Sequence, residues 1–246
     1  MERIAVLAKQ YGFRVIEDAS HAIGATYKDM KVGCCKYSDM TVFSFHPVKI
    51  ITTAEGGMVL TNNKDLYEKL VLFRSHGITR NPKLMTHAAD GPWYYQQVEL
   101  GFNYRMTDMQ AALGYSQMDR LEDFVTRRRY LAKRYDELLK DLPLRTPEQN
   151  PDTNSSWHIY VVRLELDKAK RSKQEIFAEM KKRGIVLNLH YIPVHTQPYY
   201  EKLGFKQGDF PVSEQYYKEA FTLPLYYSLT DAQQDEVVKA LKEVLQ

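Results

Sequence analysis

The sequence predicts an α/β protein built from two units. Strand-length apolar runs alternate with amphipathic helical windows. Three [ST]-x-x-[EQ] capping boxes, at Thr107/Gln110, Ser172/Glu175 and Thr230/Gln233, mark where helices begin. The length of 246 residues is enough for one large domain or two small ones.

The elements follow in chain order. Residues 2–11 place Ile4, Ala5, Leu7 and Ala8 on one helical stripe, and Gly12 stops the helix. Residues 14–18 read as a short strand whose Val15 and Ile16 should be buried and which ends on Asp18. A small hairpin is expected over 27–32, strands over 40–45 and 57–61, and a helix over 65–76. Residues 77–101 carry Gly, Pro, Asn and aromatics and read as a long irregular loop, a kind of segment that is usually functional. Helical periodicity runs from Thr107 to about Leu142, where Pro143 ends it. That is long for one globular helix, so a break is expected near 119–122. Residues 144–156 are polar and proline-bearing and read as a separator. Beyond them come a strand over 158–166, a helix from Ser172 to Arg183 stopped by Gly184, a strand over 185–190, and the helix capped by Thr230. The chain opens with a helix feeding a strand, as though a preceding strand were missing.

Composition narrows the function. Hydrophobic residues make up 44% and charged residues 26%, as in ordinary globular proteins. A net charge of +3 is too small to imply nucleic-acid or membrane binding by charge. No run of 18 apolar residues exists to cross a membrane, and the first residues lack the basic-then-apolar layout of a secretory leader. The two cysteines, Cys34 and Cys35, are adjacent and make no disulfide framework, which fits a cytoplasmic location.

Chemistry concentrates near the first strands. Asp18, Ser44 and His46 stand at predicted strand ends, with His21 and Lys49 close by in sequence. Ligands of α/β sheets gather outside the carboxyl ends of strands. A lysine amine condenses reversibly with an aldehyde, and partial burial frees its lone pair. A carboxylate at a strand end needs a cationic partner, which a protonated pyridine nitrogen would supply. Each residue also has a plain reading: Lys49 on a solvated surface, Asp18 capping a turn, His21 in a core or turn, Ser44 satisfying itself. His158, His190 and His195 lack metal-site spacing and read as polar pocket lining. The basic runs 127–129 and 181–183 read as solvated helix faces.

Three strings then carry a resemblance. Glu17-Asp18-Ala19-Ser20-His21-Ala22-Ile23-Gly24-Ala25, Phe43-Ser44-Phe45-His46-Pro47-Val48-Lys49 and Thr53-Ala54-Glu55-Gly56-Gly57 resemble the DegT/DnrJ/EryC1/StrS family of pyridoxal-phosphate (PLP) sugar aminotransferases. Gly101-Phe102-Asn103-Tyr104-Arg105-Met106-Thr107-Asp108 is similar to the family's next signature, and the match runs in order across nearly the whole chain.

The resemblance implies a fold-type-I architecture. Residues 1–125 would be the remainder of a large PLP-binding domain with a mixed, mostly parallel sheet. Residues 126–246 would form a small C-terminal domain that includes the long connecting helix. It implies Lys49 as the Schiff-base lysine, Asp18 as partner of the pyridine nitrogen, His21 near the ring hydroxyl, and Ser44 as a phosphate ligand. Asn103 would reach the phosphate of a neighbouring subunit, which implies a homodimer. The segment from His190 to Tyr200 is similar to the substrate end of members that aminate a UDP-linked 4-keto-6-deoxy-N-acetylhexosamine. His190, Tyr191 and His195 are therefore expected to bind substrate, with L-glutamate as amino donor. Pseudaminic acid or surface-polysaccharide biosynthesis is the implied setting. Family dehydratases carry histidine where Lys49 stands, which argues against that activity. Family members are longer, so the chain reads as a C-terminal portion with little turnover of its own; the alternative is a non-catalytic binding or regulatory remnant.

Overall fold

The computed structural model describes residues 1–246 and divides into two compact units, Met1–Leu121 and Glu122–Gln246. The division lies at the break between two helices, a few residues before the expected 125/126.

In the first unit α1 (Glu2–Tyr11) ends at Gly12. That residue takes φ 72° and donates its N–H to the Ala8 carbonyl, a left-handed position that a Cβ would disfavour. β1 (Ile16–Asp18) follows, then a hairpin of β2 (Thr26–Tyr27) and β3 (Met30–Lys31). Its two turn residues, Lys28 and Asp29, both take positive φ, as a two-residue primed turn requires. Then come β4 (Met40–Ser44), β5 (Gly57–Leu60), α2 (Lys64–Phe73), β6 (Ile78–Thr79), β7 (Gln96–Gln97) and α3 (Asp108–Met118).

The sheet has the order β1-β4-β5, with β4 parallel to β1 and antiparallel to β5. β4 alternates in burial as strand geometry dictates: Thr41 and Phe43 are buried, with half-buried residues between them. The register sets Asp18 beside Val42 and Ser44 beside Gly57, so Asp18 and Ser44 each end a strand at the same edge of the sheet.

Two expectations fail in this unit. Ile16 is 60% exposed and Val15 only half-buried, because β1 is the edge strand and pairs on one flank only. The apolar stripe of α1 likewise buries no residue. The stretch 77–101 is also more ordered than a plain loop. β6 and β7 form an antiparallel ladder, and the buried Gln96 organises the turn between them. Its side chain accepts from the Thr86 N–H at 2.7 Å and donates to the His87 carbonyl and the Tyr94 hydroxyl.

The second unit opens with α4 (Leu121–Leu138), separated from α3 by the expected break. It continues with β8 (Leu144–Arg145), β9 (Thr153–Asn154), β10 (Tyr160–Leu164) and α5 (Lys173–Lys182). After a 3₁₀ turn at Val194–Thr196 come α6 (Pro198–Glu201), α7 (Pro211–Glu219), β11 (Ala220–Leu223) and α8 (Asp231–Leu245). All three capping boxes are present, at α3, α5 and α8. The sheet β11-β10-β8 is antiparallel throughout. Tyr135, Tyr160, Ile176, Met180, Phe221 and Leu241 are fully buried at the centre of its core.

Three readings are corrected here. Part of the stretch 144–156 is structural, since Leu144 is buried and pairs with Leu164. Residues 185–190 form no strand and touch the sheet by a single bridge, Asn188 to Thr222. Asn188 accepts the next amide, that of Leu189, on its own side chain, a local bond that competes with a ladder. The basic run 127–129 is not a solvated face. Val125, Arg128, Ala132 and Tyr135 recur at helical spacing on the buried stripe of α4, so the middle arginine turns inward. Arg128 Nη1 donates to the carbonyls of Trp157, His158 and Leu225. With no carboxylate against it, desolvation lowers its pKa to about 10.

Candidate active site

The first unit brings Asp18 and Lys49 together at the carboxyl ends of β1 and β4. Their charges act on each other. Lys49 lies in the β4–β5 connection, which its neighbours hold firmly. Ile50 and Ile51 plug into the core at 6% and 1% exposure. Phe45 N–H donates to Gly56, and Thr53 N–H donates back to Phe45, which closes the loop at its base. Lys49 N–H closes a turn onto the His46 carbonyl at 2.9 Å. The side chain of Gln117, on α3, brackets Thr52: its Oε1 accepts from Thr52 N–H and its Nε2 donates to Thr52 C=O, both at 3.2 Å. Gln110 Nε2 donates to the Glu55 carbonyl at 3.0 Å. α3 approaches so closely that a Cβ on the buried Gly114 would stand 2.7 Å from Thr53 Cγ2. The backbone under Lys49 is therefore fixed from both sides.

Two effects act on the half-buried Lys49 amine. Desolvation lowers its pKa, and the Asp18 charge partly offsets that. A larger share of the amine is neutral, and so nucleophilic, than for a solvated lysine.

Asp18 is exposed, contrary to the buried strand end expected, yet its pKa is lowered. The Ser20 hydroxyl donates to Oδ1 at 2.5 Å and the Ser20 N–H donates to the same oxygen at 3.0 Å. Nearby His21 and Lys49 add a smaller electrostatic pull. Both hydrogen bonds fall on Oδ1, so the carboxylate is held ionised while Oδ2 accepts no hydrogen bond from the chain. Ser20 is the residue that the sequence reading passed over. The Asp-x-Ser spacing, which favours an Asx turn, is the signal that could have found it.

Ser44 is half-buried at the end of β4, and its Oγ accepts weakly from His46 N–H at 3.4 Å. His21 lies in the turn after β1, near enough to Asp18 for their charges to interact. Asn103 is exposed and bridges to Ser75.

The second unit carries His190, Tyr191 and His195. His190 is half-buried, with Nδ1 2.7 Å from the Thr222 hydroxyl. Tyr191 is 63% exposed and packs edge-on against the His190 ring. His195 is buried; its Nε2 pairs with Glu214 Oε1 at 2.8 Å, and the same oxygen accepts Gly208 N–H. That pair ties the segment after His190 to α7 and holds the Glu214 carboxyl below its ordinary range.

A desolvated amine, an ionised carboxylate with an open oxygen and a strand-end hydroxyl fit an aldehyde-bearing cationic heterocycle with an anionic tail. Pyridoxal phosphate is such a group. The chain matches the DegT/DnrJ/EryC1/StrS aminotransferase family over residues 1–242, and it belongs to that family. It is 36% identical over 232 residues to the UDP-4-amino-4,6-dideoxy-N-acetyl-β-L-altrosamine transaminase of Campylobacter jejuni, covering 93% of this chain and 58% of that one. Among solved structures it resembles Helicobacter pylori PseC, an aminotransferase of pseudaminic acid biosynthesis. That match has a TM-score of 0.88 at 30% identity and covers 99% of this chain and 62% of PseC. It also resembles Spr1654 of Streptococcus pneumoniae in its pyridoxamine-phosphate form, with a TM-score of 0.85 at 30% identity, over 97% of this chain and 60% of that one. The fold is that of the fold-type-I PLP sugar aminotransferases, and the cofactor of the family is pyridoxal phosphate. The chain spans about three fifths of the length of these relatives.

Proposed function

We propose that the chain carries the reactive amine and the ring-binding acid of a nucleotide-sugar aminotransferase. The reaction moves an amino group from L-glutamate to C4 of a UDP-linked 4-keto-6-deoxy-N-acetylhexosamine. The observation that carries this reading is a half-buried Lys49 in the β4–β5 connection, near enough to Asp18 at the end of the neighbouring β1 for their charges to act on each other. The likeness to a UDP-sugar transaminase and to PseC supports the substrate class.

Lys49 would hold the cofactor through its aldehyde, Asp18 through its ring nitrogen with His21 beside the ring hydroxyl, and Ser44 through its phosphate. Asn103 would reach the phosphate of a second copy, making the working form a homodimer. When bound, the cofactor supplies an electron sink for the carbanion that arises at the amino-bearing carbon. Lys49 Nζ, shifted toward its neutral form by desolvation, takes the proton from that carbon and returns it on the other side of the exchange. Asp18, kept ionised by Ser20, accepts a hydrogen bond through Oδ2 and keeps the ring nitrogen cationic. His190, Tyr191 and His195 belong to the part that meets the sugar nucleotide. The enzyme would work in the cytoplasm.

The test is direct. The chain is incubated with pyridoxal phosphate, reduced with borohydride, digested and analysed by mass spectrometry. The pyridoxyl mass is expected on Lys49 in preference to the chain's other lysines and is expected to be lost in Lys49→Ala. Labelling spread evenly over surface lysines would overturn the reading and leave a non-catalytic member of the family.

A further inference from the structure

We propose that Thr222 is a positioning residue for His190: its hydroxyl fixes the neutral ring as the tautomer with the proton on Nε2. In that form His190 offers Nε2–H to the substrate as a hydrogen-bond donor. The inference deepens the proposed function, and its second half rests on the reading of His190 as a substrate contact.

The four residues of β11 are all buried, and Thr222 is the one polar side chain among Ala220, Phe221 and Leu223. A hydroxyl in such a strand is costly unless its proton has an acceptor. Thr222 joins two neighbours. On one flank it pairs with Val161 of β10. On the other it exchanges two backbone bonds with Asn188, Thr222 N–H to Asn188 C=O at 2.7 Å and Asn188 N–H to Thr222 C=O at 3.2 Å. This bridge is the point where the segment leading to His190 is pinned to the sheet, and it delivers the imidazole to the Thr222 side chain, with Nδ1 2.7 Å from Oγ1.

The direction of that bond follows from counting donors and acceptors. The Thr222 hydroxyl makes this one hydrogen bond and no other. If Nδ1 carried the ring proton, Nδ1 would donate to Oγ1 and the hydroxyl proton would be left in an apolar strand without an acceptor. If Nδ1 is bare, the hydroxyl donates to it and both groups are satisfied. The second arrangement costs less, and it puts the ring proton on Nε2. Such a donor suits an oxygen acceptor of the sugar nucleotide, such as a hydroxyl or carbonyl oxygen.

The experiment compares the chain with Thr222→Val and Thr222→Ser, each labelled with ¹⁵N-histidine. The ring ¹⁵N shifts of His190 at neutral pH report the tautomer directly. The Nε2–H form is expected in the parent chain and in Thr222→Ser, and a mixture of tautomers in Thr222→Val. A parent chain with the proton on Nδ1 overturns the inference whatever the activity. The second readout is the affinity for the UDP-linked 4-keto-6-deoxy-N-acetylhexosamine, measured with pyridoxal phosphate present. Thr222→Val is expected to weaken it about threefold to tenfold, as expected for one misdirected hydrogen bond, and Thr222→Ser is expected to restore it. A shifted tautomer in Thr222→Val with unchanged affinity in both Thr222→Val and His190→Ala would instead overturn the reading of His190 as a substrate contact. If Thr222→Val does not fold, Thr222→Cys replaces it, because a thiol keeps the size but donates only weakly.

Discussion

Replacing Gln117 by leucine removes the two bonds that bracket Thr52 and loosens the loop that carries Lys49. In the parent chain the Gln117 side chain satisfies both polar groups of one peptide position, each at 3.2 Å, from a half-buried site on α3. Leucine has nearly the same volume and keeps the apolar packing, so the change isolates the polar contribution. Each bond contributes about 0.5–1.5 kcal/mol net, so the pair contributes about 1–3 kcal/mol. This is a local effect, because the buried Ile50 and Ile51 still anchor the loop. It should therefore appear as more frequent local opening, by roughly fivefold to 150-fold. Amide hydrogen exchange at Phe45 and Thr53 reads that opening, since the N–H groups of both residues close the base of the loop. Their exchange is expected to accelerate by that factor, while amides at the centre of β10 stay unchanged. Borohydride trapping of pyridoxal phosphate on Lys49 should slow in parallel, because the amine is held in place less of the time. Unchanged exchange at both amides would refute the claim that α3 fixes the lysine loop. Gln117→Glu is an internal control: it keeps the acceptor for Thr52 N–H and loses the donor to its carbonyl, so it should fall between the two.

Two further outcomes follow from other parts of the structure. Ser20→Ala should raise the pKa of Asp18 toward its ordinary value, since the Ser20 hydroxyl is the largest influence lowering it. A carboxylate with a depressed folded pKa adds stability that is present above its unfolded pKa and is lost as pH falls through the folded one. The acid limb of stability should therefore be shallower in the variant, and ¹³C-carboxyl titration by NMR checks the shift; an unmoved Asp18 pKa refutes the assignment. Arg128→Met should destabilise the second unit by about 2–4 kcal/mol, because the carbonyls of Trp157, His158 and Leu225 lose their shared donor inside the core. Urea unfolding measures this, and an unchanged midpoint with an unchanged slope would contradict it.

Local sequence determined every feature whose physics is local. The three capping boxes fixed where α3, α5 and α8 begin, because Ser and Thr side chains satisfy orphan amides three residues on. Gly12 fixed the end of α1, and the strand expected over 40–45 is β4. The apolar runs before Asp18 and Ser44 were enough to put both residues at strand ends. Tertiary structure decided the rest. β11 is buried at every position, so it has neither a period of 2 nor one of 3.6 to reveal it. Arg128 looked like one of three surface cations, and only the phase of α4 against its core turned it inward. Most of the partners that give the candidate residues their properties are set by chain reversal and packing rather than by any run of sequence. Ser20 lies two residues from Asp18 and its spacing shows it, but Gln117 reaches Thr52 from 65 positions away and Thr222 reaches His190 across 32. Residue type says what a side chain can do, but its ionisation, tautomer and aim depend on neighbours that only the folded chain brings within hydrogen-bond distance.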